Sequence, residues 1–471
     1  MTHTATSMPQ RHLTDGPRIM QTVRVAGLSR PLKQVPSLQD GKPSPGGLHQ
    51  NLQRVRKANK SIANLPSAPL RPVPVFTRRP FVAPDHAEGL FGKGLIDSGS
   101  CVSFNESAQQ VYCLPSLICI GMAKAGTEEL RGWMAMHPNI SMSPSRETQF
   151  FNKILPQRVR STHTLTNEKH MLQLLASSWT EYARMFPVER ASIGTTMTME
   201  KSAGYSHIRR NASNAGDIPK LVPKLLARMA PNVRLVVLLR DPATVVRSRF
   251  AQCLLQMSKH VGQSKQLSLT KCGGASDADF ERMLVGSRLI CLNSTGGPTA
   301  AAGLGARDVI AARMGGPAGL LLVEDPLVVL REWSTLHGQR LLVLFTEQLF
   351  IDAKAAMNKL LVHVGLPRYH WPKAQLVPNS DRFTYNAAKS KSTSTSTRYA
   401  PVPPQWAQAL RIAYTPFIRH FKRVLPCLDT PWPEGPTPAG AGTAGWPDTT
   451  PTREEIALQE TLCPLAARLP G

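Results

Sequence analysis

No run of about 18 apolar residues occurs anywhere in the 471-residue chain, so no membrane-spanning helix is expected. Acidic side chains are scarce. The 31 Asp and Glu stand against 56 Lys and Arg, which leaves a formal net charge of +25. Aromatic residues make up only 6%. The eight cysteines are Cys101, Cys113, Cys119, Cys253, Cys272, Cys291, Cys427 and Cys463; no two stand in a Cys-x-x-Cys pair, which argues against a zinc ribbon. The chain also lacks the Gly-x-x-x-x-Gly-Lys-[Ser/Thr] order of an ATP-binding loop. No internal repeat is evident.

The apolar share is an ordinary 42%, enough for one large α/β domain, while 40 prolines signal much irregular chain. A surface this basic attracts anions, whether cofactor, glycan or nucleic acid, and charge alone does not separate them. Residues 1–80 hold 13 Lys and Arg and 2 acidic residues. Residues 1–112 show no sustained periodicity and read as a disordered basic region, with a short helix near 48–60. This Arg-rich, acid-poor start resembles an organelle transit peptide more than a secretory signal, and a misassigned start codon explains it equally well.

Two segments carry chemistry. Leu117-Ile118-Cys119-Ile120-Gly121-Met122-Ala123-Lys124-Ala125-Gly126-Thr127 reads as a buried strand, a tight turn and the start of a helix. Amide groups at such a helix start face an anion, and Lys124 adds a positive charge there. Cys119 falls inside the strand as a buried thiol. Further on, Val233–Leu239 is an apolar strand followed by Arg240-Asp241-Pro242. Asp241 suits an N-cap and Pro242 the first helical turn. Arg240 offers a planar fork for phosphate, and Ser248 a hydroxyl two turns on.

Together these segments resemble the two cofactor signatures of the sulfotransferases, which use 3′-phosphoadenosine 5′-phosphosulfate. The likeness is to the Golgi carbohydrate enzymes, namely the heparan sulfate glucosaminyl 3-O-sulfotransferases and the N-acetylgalactosamine 4-sulfate 6-O-sulfotransferase. Other matching segments follow in order: His137-Pro138, Arg146-Glu147-Thr148-Gln149-Phe150-Phe151, Glu200-Lys201-Ser202-Ala203-Gly204-Tyr205, and Gly338 through Leu349. The resemblance covers roughly residues 113–426. It implies an α/β fold with a P-loop-like parallel sheet flanked by helices, spanning 113–430. A Gly/Ala-rich insertion or rim falls at 259–320, and a disordered Pro/Gly-rich tail at 431–471.

The resemblance also implies roles. Glu147 is the candidate base, Lys124 a catalytic cation, and Lys201 an orienting residue. The amides of Ala125, Gly126 and Thr127 would cradle the 5′-phosphate beside Glu128. Arg240 and Ser248 would hold the 3′-phosphate. Lys389 and Lys391, with Arg398, would come from a loop folding over the cofactor. No metal is implied. A disulfide between Cys272 and Cys291 and a Golgi-luminal glycoprotein would follow from the relatives, although no signal anchor is visible; sequons stand at Asn105, Asn139, Asn211 and Asn293. The partner would be a glycan rather than nucleic acid. In place of the family's frequent Arg stands Glu128, which would repel phosphosulfate unless it points away or pairs with Arg131. Two other readings stay open: a P-loop-like kinase or NTPase, and a catalytically silent protein that binds anionic glycans or nucleic acid.

The expected order of elements is strand 117–121, helix 127–137, helix 166–185, strand 191–195, helix 217–229, strand 233–239 and helix 242–258. After the insertion come helix 322–337, strand 341–345, helix 352–364 and a last amphipathic helix from Trp406 to Leu425. Strand–helix alternation of this kind implies parallel pairing with right-handed crossovers.

Overall fold

A computed structural model of the chain describes residues 97–104, 109–159, 167–206, 218–259, 284, 290–292, 298–300, 325–371, 404–435 and 451–468. All of them belong to one compact unit, Arg71–Gly471; the other unit, Met1–Leu70, lies outside the described residues.

The main sheet is built from apolar runs that can only be buried. β3 (Leu117–Gly121) is buried at every position, and β7 (Arg234–Leu239) at all but its first. Strands covered on both faces read as continuous hydrophobic runs rather than alternating ones, and they pair in parallel. With β4 (Ile140–Met142), β6 (Met197–Lys201) and β10 (Leu341–Phe345) they form a five-stranded parallel sheet in the order β10-β7-β3-β6-β4. Helices flank it: α1 (Thr127–Met134), α2 (Glu168–Ala183), α3 (Ile218–Met229), α4 (Pro242–Lys259), α5 (Pro326–His337), α6 (Thr346–Ile351), α7 (Ala353–His363) and α8 (Pro404–Val424). Asn167 caps α2, Asp325 caps α5 and Asp352 caps α7, each side chain accepting a first-turn amide. The fold expected from the sequence is thus the fold observed.

Three local expectations are corrected. The strand placed at 191–195 is a 3₁₀ turn, Arg190–Ser192; strands lie on either side, at β5 (Pro187–Glu189) and β6. Ala191 is exposed and Ile193 only half-buried, whereas Met197 and Met199 are carried into the core. The folded part also begins before residue 113. β1 (Cys101–Val102) and β2 (Gln110–Cys113) pair antiparallel, β2 continues onto β5, and a Cys101–Cys113 disulfide ties the pair. Within the Gly/Ala-rich segment, β8 (Ile290–Leu292) and β9 (Pro298–Ala300) form a two-stranded antiparallel ladder.

The third correction is the tail. Residues 453–468 form a helix, α9 (Arg453–Arg468), rather than disordered chain. Leu458 and Leu462 are buried on it, and Cys463 is bridged to Cys427. Glu455 accepts from His420 on α8 at 2.8 Å, and Glu454 pairs with Arg331 on α5. Cys119 is a buried free thiol, as expected, and burial pushes its pKa up to about 12. The Cys272–Cys291 bridge, the helix near 48–60, the basic loop with Lys389, Lys391 and Arg398, and the sequons at Asn105, Asn211 and Asn293 fall outside the described residues or side chains.

The Cys427–Cys463 bond closes a separation of 36 residues. Cys463→Ser should therefore lower the unfolding free energy by about 2–4 kcal/mol, measured by denaturant titration under non-reducing conditions. Wild-type protein treated with a thiol reductant should move the same way.

Candidate functional site

β3, β6, β7 and β10 run parallel, so their carboxyl ends share one edge of the sheet. Open α/β sheets bind ligands at that edge. From β3 the chain turns through Met122–Gly126 into α1. Lys124 (φ 70°) and Gly126 (φ 78°) are both left-handed. A Cβ on Gly126 would sit 3.2 Å from Cγ2 of Thr346, so this position needs glycine both for its backbone and for its close neighbour. The fully buried Thr346 hydroxyl donates to the Ala125 carbonyl at 2.6 Å and reaches the Leu239 carbonyl at 2.9 Å. It clips the turn to the end of β7.

The expected cradle changes in one respect. The Ala125 amide donates to the Met122 carbonyl at 3.1 Å and closes the turn, so it does not face a phosphate. Thr127 and Glu128 open α1, where first-turn amides have no acceptor within the helix.

Arg240 leaves β7, and its Nη1 donates to the carbonyl oxygen of Lys124 at 3.1 Å. Two cations from turns far apart in sequence thus meet at one place. Asp241 caps α4, accepting from the Ala243 amide at 3.1 Å and the Thr244 hydroxyl at 2.8 Å. Ser248 is buried on α4, next to Arg249. Burial, and then the charges of Arg146, Arg249 and Arg240, bring the Lys124 ammonium down from the usual lysine range to about 8. Behind Arg240, burial raises the Glu347 carboxyl; it accepts the Asp241 amide at 2.9 Å and the Trp432 indole N–H at 3.3 Å.

The other half of the site comes from β6. Glu200 is fully buried, and burial lifts its carboxyl above the usual range. It accepts from Ser202 at 2.8 Å and from the hydroxyls of Thr148 and Tyr182. The Gln149 amide donates to Ser202 Oγ at 3.0 Å, with Gln149 itself left-handed (φ 51°). Phe150 and Phe151 are buried in the core and start a π-helical turn, Phe150–Ile154. The segment 147–149 is therefore held from beneath.

Its carboxylate faces a buried lysine. Lys201 is only 2% exposed, and its Nζ donates to Glu147 Oε1 at 2.7 Å and to Glu128 Oε2 at 3.0 Å. Gln149 Nε2 donates to the other Glu147 oxygen at 2.7 Å. Glu128 accepts from Arg146 Nε at 3.0 Å. Arg131, the partner expected for Glu128, donates instead to the Ser143 carbonyl at 3.2 Å. The Glu147 charge also acts on the Lys124 ammonium, which joins the two halves.

Sequence reasoning named Lys124, Gly126, Thr127, Glu147, Lys201, Arg240 and Ser248, and all lie along this edge or on the elements that leave it. It gave no role to Thr346, Gln149 or Arg249. Gln149 stands two residues from Glu147, and Thr346 follows directly on the β10 strand, so position beside a strand end was the usable signal. Among the described residues, no group of three or more His, Cys, Asp or Glu could hold a metal ion, and no helix is long and apolar enough to cross a membrane.

No family model matches the chain. By sequence it is similar to the human bifunctional heparan sulfate N-deacetylase/N-sulfotransferase 3, at 31% identity over 135 residues, which is 28% of this chain and 12% of that protein. The mouse protein of the same name matches at the same identity and over the same shares. The chain thus spans only a small part of the curated relatives it matches. Over that part the resemblance to the sulfotransferases is borne out. Among solved structures, a sulfotransferase from Alicyclobacillus acidocaldarius aligns over 66% of this chain and 95% of its own, at 14% identity and a TM-score of 0.36. A sulfotransferase domain from the curacin biosynthetic pathway aligns over 74% and 97%, at 11% identity and a TM-score of 0.29.

The Lys124 ammonium is charged below about pH 8 and neutral above it. Affinity for adenosine 3′,5′-bisphosphate, measured by calorimetry, should fall as pH rises through that value. In Lys124→Arg the fall should disappear, because a guanidinium stays charged.

Proposed function

We propose that the chain transfers a sulfuryl group from 3′-phosphoadenosine 5′-phosphosulfate to a hydroxyl or amine of a glycan. The observation that carries this reading is the meeting of the Lys124 turn, Arg240 and the Glu147–Lys201 pair along one edge of a parallel sheet. A Lys in a tight turn before a helix start, with a second fixed cation beside it, fits a doubly charged nucleotide. The sequence match to proteins named for heparan sulfate N-sulfation supports a glycan acceptor. The Golgi lumen is the compartment of the carbohydrate enzymes that the chain resembles, and two disulfides, Cys101–Cys113 and Cys427–Cys463, accord with an oxidising one.

The donor, when bound, supplies a sulfuryl group on a bond that breaks toward the 5′-phosphate. Such a transfer needs positioning and charge stabilisation more than covalent help. The amides of Gly126 and Thr127 and the Lys124 ammonium face negative charge growing on the departing phosphate. Arg240, with Ser248 on the helix that follows, holds the 3′-phosphate. An acceptor hydroxyl is a weak acid, so a base must take its proton as the new bond forms. Glu147 is that base. It is 28% exposed, so an acceptor can reach it, and Lys201 and Gln149 hold its two oxygens in place. No step calls for a metal.

Glu147→Gln should abolish sulfuryl transfer to a glycan panel, followed with radiolabelled sulfate, while affinity for adenosine 3′,5′-bisphosphate stays near wild type. Unchanged turnover would remove Glu147 from the mechanism. Arg240→Ala should instead weaken that nucleotide by about 1.5–3 kcal/mol, the cost of a charge-assisted bond, and shrink its preference over 5′-AMP. A preference for the bisphosphate as strong as that of the wild type would show that Arg240 does not read the 3′-phosphate.

A further inference from the structure

Glu128 is the residue whose position and chemistry disagree most. It is the second residue of α1, beside the anion seat, where a carboxylate should repel the ligand. Its carboxylate does not stand alone there. Arg146 Nε lies 3.0 Å from Glu128 Oε2, and Lys201 Nζ lies 3.0 Å from the same oxygen. Lys201 is buried and at the same time holds Glu147 Oε1 at 2.7 Å. One ammonium is therefore shared by two carboxylates, one on the cofactor helix and one on the segment that carries the base. Arg146, immediately before Glu147, ties the same two elements a second time.

We infer that Glu128 is a positioning residue for the reaction, acting through Lys201 and Arg146 to set the base Glu147, and that it is not a cofactor ligand. The inference rests on the reading of Glu147 as base given above. One consequence follows from the geometry, and it is steric order. With Glu128 in place, segment 146–149 is held on the cofactor side by the Arg146–Glu128 ion pair and by Lys201, which bridges Glu147 and Glu128, and on the core side by Glu200 through Thr148 and Ser202. Titratable groups around this cluster are Lys124 from the turn, Glu200 from β6 and the Cys119 thiol from β3, the thiol neutral because burial pushes its pKa up to about 12; of these Lys124 alone adds a positive charge.

The test uses the full chain with Glu128→Gln and Glu128→Asp. The Gln variant should lose roughly ten- to a hundredfold in kcat, the scale of a misplaced catalytic group, with KM for the donor and affinity for adenosine 3′,5′-bisphosphate within twofold of wild type. The Asp variant, which keeps the charge, should recover most of the loss. An unchanged kcat, or a change confined to nucleotide affinity, would overturn the assignment. A second measurement does not need activity. Amide hydrogen exchange of peptides covering 144–151 should speed up in the Gln variant and return toward wild type in the Asp variant; equal exchange in all three overturns the inference. A wild-type chain that transfers sulfate to no glycan would count against the proposed function, and the exchange data would still decide the role of Glu128.

Discussion

A lysine with 2% of its side chain exposed cannot be left without compensation, and the site is organised around that constraint. Lys201 stands at the last position of β6, so the sheet fixes where its stem begins. Its ammonium must then find carboxylates near the carboxyl edge. It finds two, Glu147 on a segment seated on the Glu200 network and Glu128 in the first turn of α1, two elements that Arg146 also ties through Glu128. The neutralisation of one buried charge is what joins Glu147 to the turn at the start of α1. Glu200 adds the matching demand from below. A buried carboxylate needs donors, and Thr148, Ser202 and Tyr182 supply them, which fixes the segment next to Glu147.

The second half of the site follows from strand order. β3 and β7 are neighbours in the sheet, so the turn after one and the residue after the other lie side by side. Thr346, at the end of β10, extends this contact and pins both through carbonyl oxygens. A cluster of cations results, and its self-repulsion together with burial is what softens the Lys124 ammonium.

How much of this could be read beforehand depended on whether the determinant was local. Lys124, Gly126, Arg240 and Asp241 sit at strand-to-helix turns, where residue type and neighbours in the chain already define the geometry. For Glu128 the helical rule offers only Arg131, three residues ahead, whereas the groups that claim it arrive from other elements. Ala125 was misread because an amide at a turn can close the turn as readily as it can face a ligand, and composition does not tell which. The tail looked disordered from its Pro/Gly-rich stretch. Leu458, Leu462 and Cys463 form α9 only because α5, α8 and Cys427 lie within reach.

The amino-acid sequence by itself determined the sheet, because runs such as Leu235–Leu239 have no stable place except between two layers of helix. It also determined which turns could seat an anion, since backbone conformation there follows from a few adjacent residues. Only the tertiary structure decided the pairings among Lys201, Glu147, Glu128 and Arg146. Those depend on distances between side chains on separate elements, and a chain read in one dimension carries no such distances.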